Sequence, residues 1–351
     1  MSPPEERTVL PRARLDLEPS GESPDVSPRA LAQRVDATLR FLLSGGEFVR
    51  HAPDAPADAD RAACEQLLLL RGLERQPWPG GEADEAPPRP GRRGLPMPAA
   101  ASRADLVSGL LDVSESRLRG PGSERALAQQ PERSPLLAAG TTLLDQLGRP
   151  SPHWRERLRQ AWLEEATPPD EVVPGRDLEL RWSRNLFHET GIAWCATDRA
   201  RALRTDWPAH PTRENARVWT EAIFYLTDFG AVPLDLEPAE RHELGDRLDS
   251  AIVWSVELVD FDLLGAFLLA AVYAGTAGSE RWRFGFSVLL ATWDQLGGVP
   301  DGSVELEGLP FGLARRKLYY AIYHANLLAA LLAHEVAVRG VGVRGVHAPP
   351  R

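Results

Sequence analysis

Side chains able to do chemistry gather at four places in the sequence. In Trp219–Gly230 (WTEAIFYLTDFG), Glu221, Tyr225 and Asp228 stand at i, i+4 and i+7, a spacing that puts them on one face of a helix. Two carboxylates flanking a phenol in a partly apolar setting are the material of an acid–base site, because such neighbours drive pKa values apart. The alternative is that Glu221 and Asp228 are solvated or cap a neighbouring helix. His188, followed by Glu189, sits near a helix end, as a base oriented by a carboxylate or as a complement to the negative end of the helix. Asp260-Phe-Asp262 opens an apolar stretch; a DxD pair offers oxygen ligands to a divalent cation, whereas a lone Asp there serves as an N-cap. In Tyr319–Asn326 (YYAIYHAN), Tyr320 and His324 are i, i+4 partners beside Leu327, Leu328 and Leu331. A histidine on that apolar face needs a hydrogen-bond partner, which Tyr320 can supply. The candidate catalytic residues are therefore Glu221, Asp228, His324 and His188, and the candidate binding residues are Tyr225, Tyr320, Tyr323 and Asp262. No metal site and no cofactor is read from these patterns.

Helices must position all of these groups. Helix-period apolar spacing dominates from Leu136 onward, with helices expected at 136–147, 152–166, 178–190, 193–204, 212–229, 238–258, 262–275, 280–296 and 312–338. Earlier helices are expected from Ser27-Pro28 to Gly45-Gly46, over about 59–72 and over 104–118, with a break at Pro121–Pro135. Residues 1–27 read as a flexible arm, 28–75 as an N-terminal helical pair, 76–103 as a Pro/Gly-rich linker, 104–340 as the main helical domain and 341–351 as a tail, although 338–346 alternates like a strand. Three segments, LLDQLGRP (143–150), YLTDFGAVP (225–233) and TWDQLGGVP (292–300), each place Gly shortly before Pro, the chemistry of a helix stop. They are either independent helix ends or copies in an all-α helical-hairpin array, built as a solenoid or closed as an α/α toroid.

Composition removes several classes of function. The net charge is −10, Lys317 is the single lysine, and the arginines are not interleaved with aromatics along a stripe, so nucleic-acid binding is not expected. The Arg, Ala, Gly and Pro bias reads as that of a GC-rich genome, such as an actinobacterium. Cys64 and Cys195 make no metal-binding pair and imply no disulfide framework. The N-terminal residues lack a signal-like apolar run, and the apolar runs 263–273 and 327–333 fall short of the ~20 residues that span a bilayer, so a cytoplasmic protein without membrane partners is expected. Walker A, dinucleotide-binding, His-Glu-x-x-His and Gly-x-Ser-x-Gly patterns are absent.

FYLTDFG (224–230), DFDLLG (260–265) and YHAN (323–326), in that order, resemble an uncharacterised family of helical actinobacterial proteins, a domain of unknown function. Members often open the first motif with a Thr-His pair, where this chain has Thr220-Glu221. The resemblance covers about 180–335 and brings no assigned reaction. Such families occur among natural-product genes, which implies a peptide or small-molecule ligand, or a biosynthetic protein, as partner. Zinc-type lanthipeptide cyclases use a helical toroid, but their Cys/Cys/His zinc set has no counterpart here. Two expectations follow. One is a binding or scaffold protein for a peptide or biosynthetic partner; the other is a metal-free tailoring enzyme, peptide cyclase-like, with a His/carboxylate cavity. They differ in whether residues 188, 221–228 and 324 converge in one concave site.

Overall fold

The computed structural model describes residues 24–52, 56–76, 78, 101–164, 176–190, 194, 212–300 and 311–341. Most of the arm, the linker and the tail, the helix expected at 193–204, Cys195 and most of the alternating 338–346 stretch lie outside them. Among the described residues the fold is all-α, without a strand. The helices are α1 (Pro28–Ser44), α2 (Gly46–Arg50), α3 (Pro56–Arg75), α4 (Arg103–Leu118), α5 (Pro121–Gln129), α6 (Ser134–Gln146), α7 (Pro152–Glu164), α8 (Arg176–His188), α9 (Arg213–Leu226), α10 (Pro238–Glu257), α11 (Phe261–Ala274), α12 (Glu280–Leu296) and α13 (Phe311–Arg339).

Local chemistry explains many boundaries. Ser27 caps α1 by accepting from the Ala30 amide, with Pro28 in the first turn. Asp260 caps α11 in the same way through the Leu263 amide, which settles the first half of the DxD motif as a cap. Gly148, Gly230 and Gly297 all hold left-handed φ values of 80°, 80° and 73°, as a helix stop requires. Two expectations fail. Pro121 begins α5 instead of breaking the chain, because proline suits a first helical turn. Helix α3 runs through Gly72 to Arg75, and the missing side chain lets Leu331 of α13 come close.

Helices α3, α6, α8, α9, α11 and α13 each pack on the next in that order, and α13 packs back on α3, closing a ring. The helices between them in sequence lie outside it: α4 against α3, α7 against α6, α10 against α11, and α12 against α10 and α11, while α1 lies on α13 and α4. From α9 to α13 inner and outer helices alternate along the chain, as in an α/α toroid. The 28–75 segment supplies one wall of the ring through α3. The three Gly-Pro stops end α6 and α9, which are inner, and α12, which is outer, so they share a stop chemistry without sharing a place in a repeat. Their aspartates share a fate as well: Asp145 receives Arg119 and Arg155, Asp228 receives Arg71 and Arg75, and Asp294 receives Arg34.

Helix α11 is buried along its whole length, as an apolar helix enclosed by neighbours on every side must be. Helix α13 is long and apolar enough to cross a membrane by length and composition, more than its leucine run alone had suggested; 78% of that apolar window is buried against the rest of the fold.

Candidate functional site

The ring encloses a cavity of about 90 Å³, room for several water molecules or a small organic group. Every ring helix contributes to it. Leu68, Leu136, Leu143, Ala266, Leu269, Leu327 and Leu331 give it an apolar wall, and Trp182, Phe224, Tyr225 and Phe229 an aromatic one. The aromatic wall is continuous, with the Trp182 ring 5.6 Å from Tyr225 and 5.3 Å from Phe229, and Phe224 5.8 Å from Phe229. The polar groups include Arg61 and Glu65 on α3, Glu179 and Ser183 on α8, Arg217, Thr220 and Glu221 on α9, Asp262 on α11 and His324 on α13.

At one end of the polar set, His324 Nδ1 lies 2.5 Å from Asp262 Oδ1. Asp262, 1% exposed, also accepts from Arg217 at 3.0 Å, with Arg213 at 3.5 Å. Burial disfavours the charge on each, yet the pairing prevails: Asp262 and Glu65 lift His324 to about 9, and His324 with the two arginines holds Asp262 at about 2. Near neutral pH this is an imidazolium–carboxylate pair. His324 Nε2 points towards Glu65 Oε1, 4.0 Å away, and Glu65 Oε2 accepts the Tyr323 hydroxyl at 2.6 Å.

Around Glu221 the situation is reversed. Among the described residues, the side chains of Glu221, Tyr225 and Arg61 make no hydrogen bond or ion pair, although all three line the cavity. Burial, with Glu65 and Glu179 nearby, raises the Glu221 carboxyl against the pull of Arg61 and Arg217. Burial and the same acidic neighbours push the Tyr225 phenol far up. Arg61 is the converse case, held more basic than usual by Glu65, Glu179, Tyr225 and Glu221 despite the cost of burial. Burial, reinforced by Asp60 and Glu65, raises the Cys64 thiol, which is hydrogen-bonded to the Leu136 carbonyl and is therefore a poor nucleophile.

Residues 29–334 match the family described as a domain of unknown function (DUF6895). The chain belongs to this family. The DUF6895 match covers all six ring helices, so the cavity lies within the shared domain. No curated protein and no solved structure matches the chain.

Of the residues singled out in this DUF6895 chain, Glu221, Tyr225, Asp262 and His324 line the cavity, and Tyr323 reaches it through Glu65. Asp228 does not line it: Arg71 at 2.7 Å, Arg75 at 2.9 Å and the Trp182 indole at 2.9 Å fill its carboxylate. Helix α9 stops at Leu226, and Asp228 and Phe229 both take left-handed conformations, so the i, i+7 relation to Glu221 no longer holds. His188 ends α8 at the surface, packed edge-on against Phe187 and outside the cavity lining. Tyr320 donates to the Phe48 carbonyl at 2.9 Å, so the partner of His324 is Asp262 instead. In the YHAN motif, Asn326 ties down the loop after α12 by exchanging hydrogen bonds with both backbone groups of Val299.

Asp262 is no metal ligand in this setting, since three cationic groups surround it, and among the described residues no group of three His, Cys, Asp or Glu could hold a metal ion. Arg61, Glu65, Glu179, Trp182 and Arg217 were not foreseen. A signal for α3 existed: Arg61, Cys64, Glu65 and Leu68 stand at i, i+3, i+4 and i+7, a charged break in an otherwise apolar stretch. Arg217 precedes Glu221 by one helical turn and was open to the same reading.

Proposed function

We propose that the ring is a ligand-binding device that takes a small organic molecule, or one side chain of a peptide, into its central cavity, in the service of a biosynthetic pathway. The observation that carries this reading is the set Glu221, Tyr225 and Arg61, polar groups left without partners beside aromatic and leucine walls. A concave apolar site with a few convergent polar groups is the usual form of a ligand pocket. Ala266, also on the wall, allows a direct test by Ala266→Leu, which fills the space without adding charge. Calorimetry against precursor peptides and metabolites encoded in the gene neighbourhood should show a ligand bound by the wild type and lost in Ala266→Leu at unchanged melting temperature. Binding that survives the filled cavity would move the ligand to the outer surface and end this reading.

A second reading, a metal-free tailoring enzyme, is favoured by one feature. The Glu221 carboxyl, raised by burial, shares the cavity with His324, which Asp262 and Glu65 lift to about 9, so a proton acceptor and a proton donor face one space. Mass spectrometry of the same mixtures separates the readings: a mass change lost in Glu221→Gln while binding persists makes the protein an enzyme, and binding without chemistry leaves it a carrier.

A further inference from the structure

We propose that the cavity takes a phenol, a flat ring bearing one uncharged hydroxyl, which enters hydroxyl first. This rests on the cavity being a ligand site at all, and it adds the class of ligand. The lining forms two tiers. On each of α8, α9, α11 and α13 a charged residue is followed, one helical turn or about 6 Å further along, by an uncharged one: Glu179 by Ser183, Glu221 by Tyr225, Asp262 by Ala266 and His324 by Leu328. The charged tier is the mouth, since the Arg217 and His324 side chains are 44% and 25% exposed, whereas Ser183 and Leu328 are 1% and 3% exposed. Its charges answer one another. Asp262 holds His324 and Arg217, Glu65 takes the Tyr323 hydroxyl and faces His324, and Glu179 is engaged as well. Glu221 and Arg61, without direct partners, are of opposite sign. The mouth therefore calls for no counter-ion, and the inner tier has no charged lining residue to balance an ion carried there.

What the inner tier offers is a pair of hydroxyls. Ser183 lines the cavity with no hydrogen-bond partner among the described residues, and the Tyr225 hydroxyl is unpaired as well. A hydroxyl enclosed without a partner forgoes the hydrogen bonds it makes in water. Because a hydroxyl both donates and accepts, a third one satisfies either member of the pair without bringing in charge. The walls set the ring that carries it. Trp182, Tyr225 and Phe229 present an aromatic surface, their centroids 5.3 to 5.7 Å apart, on which a further ring packs edge-on or offset. Leu143, Leu269 and Leu331 complete the apolar enclosure. A free phenol and the tyrosine side chain of a peptide present this same group.

Calorimetry on the full chain at neutral pH compares p-cresol with three rings of like size: toluene, which has no polar group, protonated benzylamine and benzoate. p-Cresol is expected to bind about tenfold more tightly than toluene, the worth of about one hydrogen bond, and more tightly than either ion. Ser183→Ala or Tyr225→Phe should bring p-cresol down to the level of toluene and leave toluene unchanged, and Ala266→Leu should abolish both. N-acetyl-tyrosinamide distinguishes the sources: an affinity at or above that of p-cresol means a peptide tyrosine, and no affinity means a free phenol. p-Cresol no tighter than toluene, an ion that binds more tightly than p-cresol, or a p-cresol preference that survives both Ser183→Ala and Tyr225→Phe overturns the phenol while leaving the cavity as a ligand site. So does silence from every probe, the cavity then resting on the peptide and metabolite titrations. Binding that persists in Ala266→Leu overturns both. Thermal melts of each variant establish that it is folded, and because either hydroxyl variant reads the p-cresol to toluene ratio, one carries the test even if the other does not fold.

Discussion

Glu221, on α9, and Asp228, just past its end, are seven residues apart and meet opposite surroundings. Asp228 is buried and saturated, with two guanidinium groups and an indole N–H on its carboxylate. Glu221 is partly buried, faces the cavity and touches no donor among the described residues. The difference originates in the backbone. While the chain is helical it delivers Arg217, Glu221 and Tyr225 to the cavity; once it passes Leu226, successive left-handed residues turn Asp228 away, towards Arg71 and Arg75 on α3. A carboxylate met by its full set of partners is a clamp, and one left without them is a site. The two are linked, because the indole that Asp228 holds belongs to the aromatic wall that Glu221 faces.

The clamp should be the most costly feature to remove. Asp228→Ala leaves two arginines and an indole without their acceptor at a site where the aspartate is 6% exposed. Breaking a buried charged pair from one side costs about 3–5 kcal/mol. Chemical denaturation should show a loss of that size. Asp228→Asn, which keeps the shape and one acceptor oxygen, should lose less. If Asp228→Ala cost no more than Glu221→Ala, the contrast between clamp and site would collapse.

That contrast also marks how much was legible in the sequence. Helix positions were open to reading because they depend on local rules: Ser27-Pro28 starts a helix, Gly148, Gly230 and Gly297 stop one, and the apolar period of α12 gave Glu280–Leu296 without error. Helical spacing likewise brought Glu221 and Tyr225 to one place, and Asp262, noted from the DxD pair, and His324, noted beside Tyr320, met there too. What the period could not supply was the exact end of α9, which decides the fate of Asp228, because left-handed Asp228 and Phe229 before the glycine stop at Gly230 have little local signature. Nor could it supply pairings across the ring. Tyr320 and His324 are neighbours on one helix, yet each is claimed by a group from elsewhere, the Phe48 carbonyl and Asp262. Ring closure depends on α3 meeting α13, a contact across most of the chain.

The His324–Asp262 pair gives the next effect, and pH is the lever. His324 is lifted from 6.5 to about 9 in the folded chain, so its contribution is fully present below about pH 6.5 and is lost as pH rises through 9. Asp262 is lowered from 3.8 to about 2, so its contribution is present above about pH 3.8 and is lost as pH falls through 2. Between pH 7 and 10 the wild type should therefore lose about 2 kcal/mol that His324→Gln does not lose, seen as a slope in melting temperature in one protein and its absence in the other. Equal slopes would mean that the imidazole titrates outside this window and that Asp262 relies on Arg217 and Arg213 alone.

The smallest expected effect has the opposite sign. A carboxylate whose ionised form is disfavoured by burial and by Glu65 and Glu179 weakens the fold at neutral pH. Glu221→Gln keeps the shape and removes the charge, so it should stabilise the protein by about 1 kcal/mol, the order of magnitude for an unpartnered polar group, or roughly 2–4 °C in a domain of this size. The gain should be present at pH 7 and shrink as pH falls towards the range where Glu221 itself binds a proton. Asp228→Asn, an identical chemical change within two turns, should destabilise. A single pair of melting curves thus decides whether one helix ends in a clamp and carries a site, because two carboxylates doing the same work would respond with the same sign.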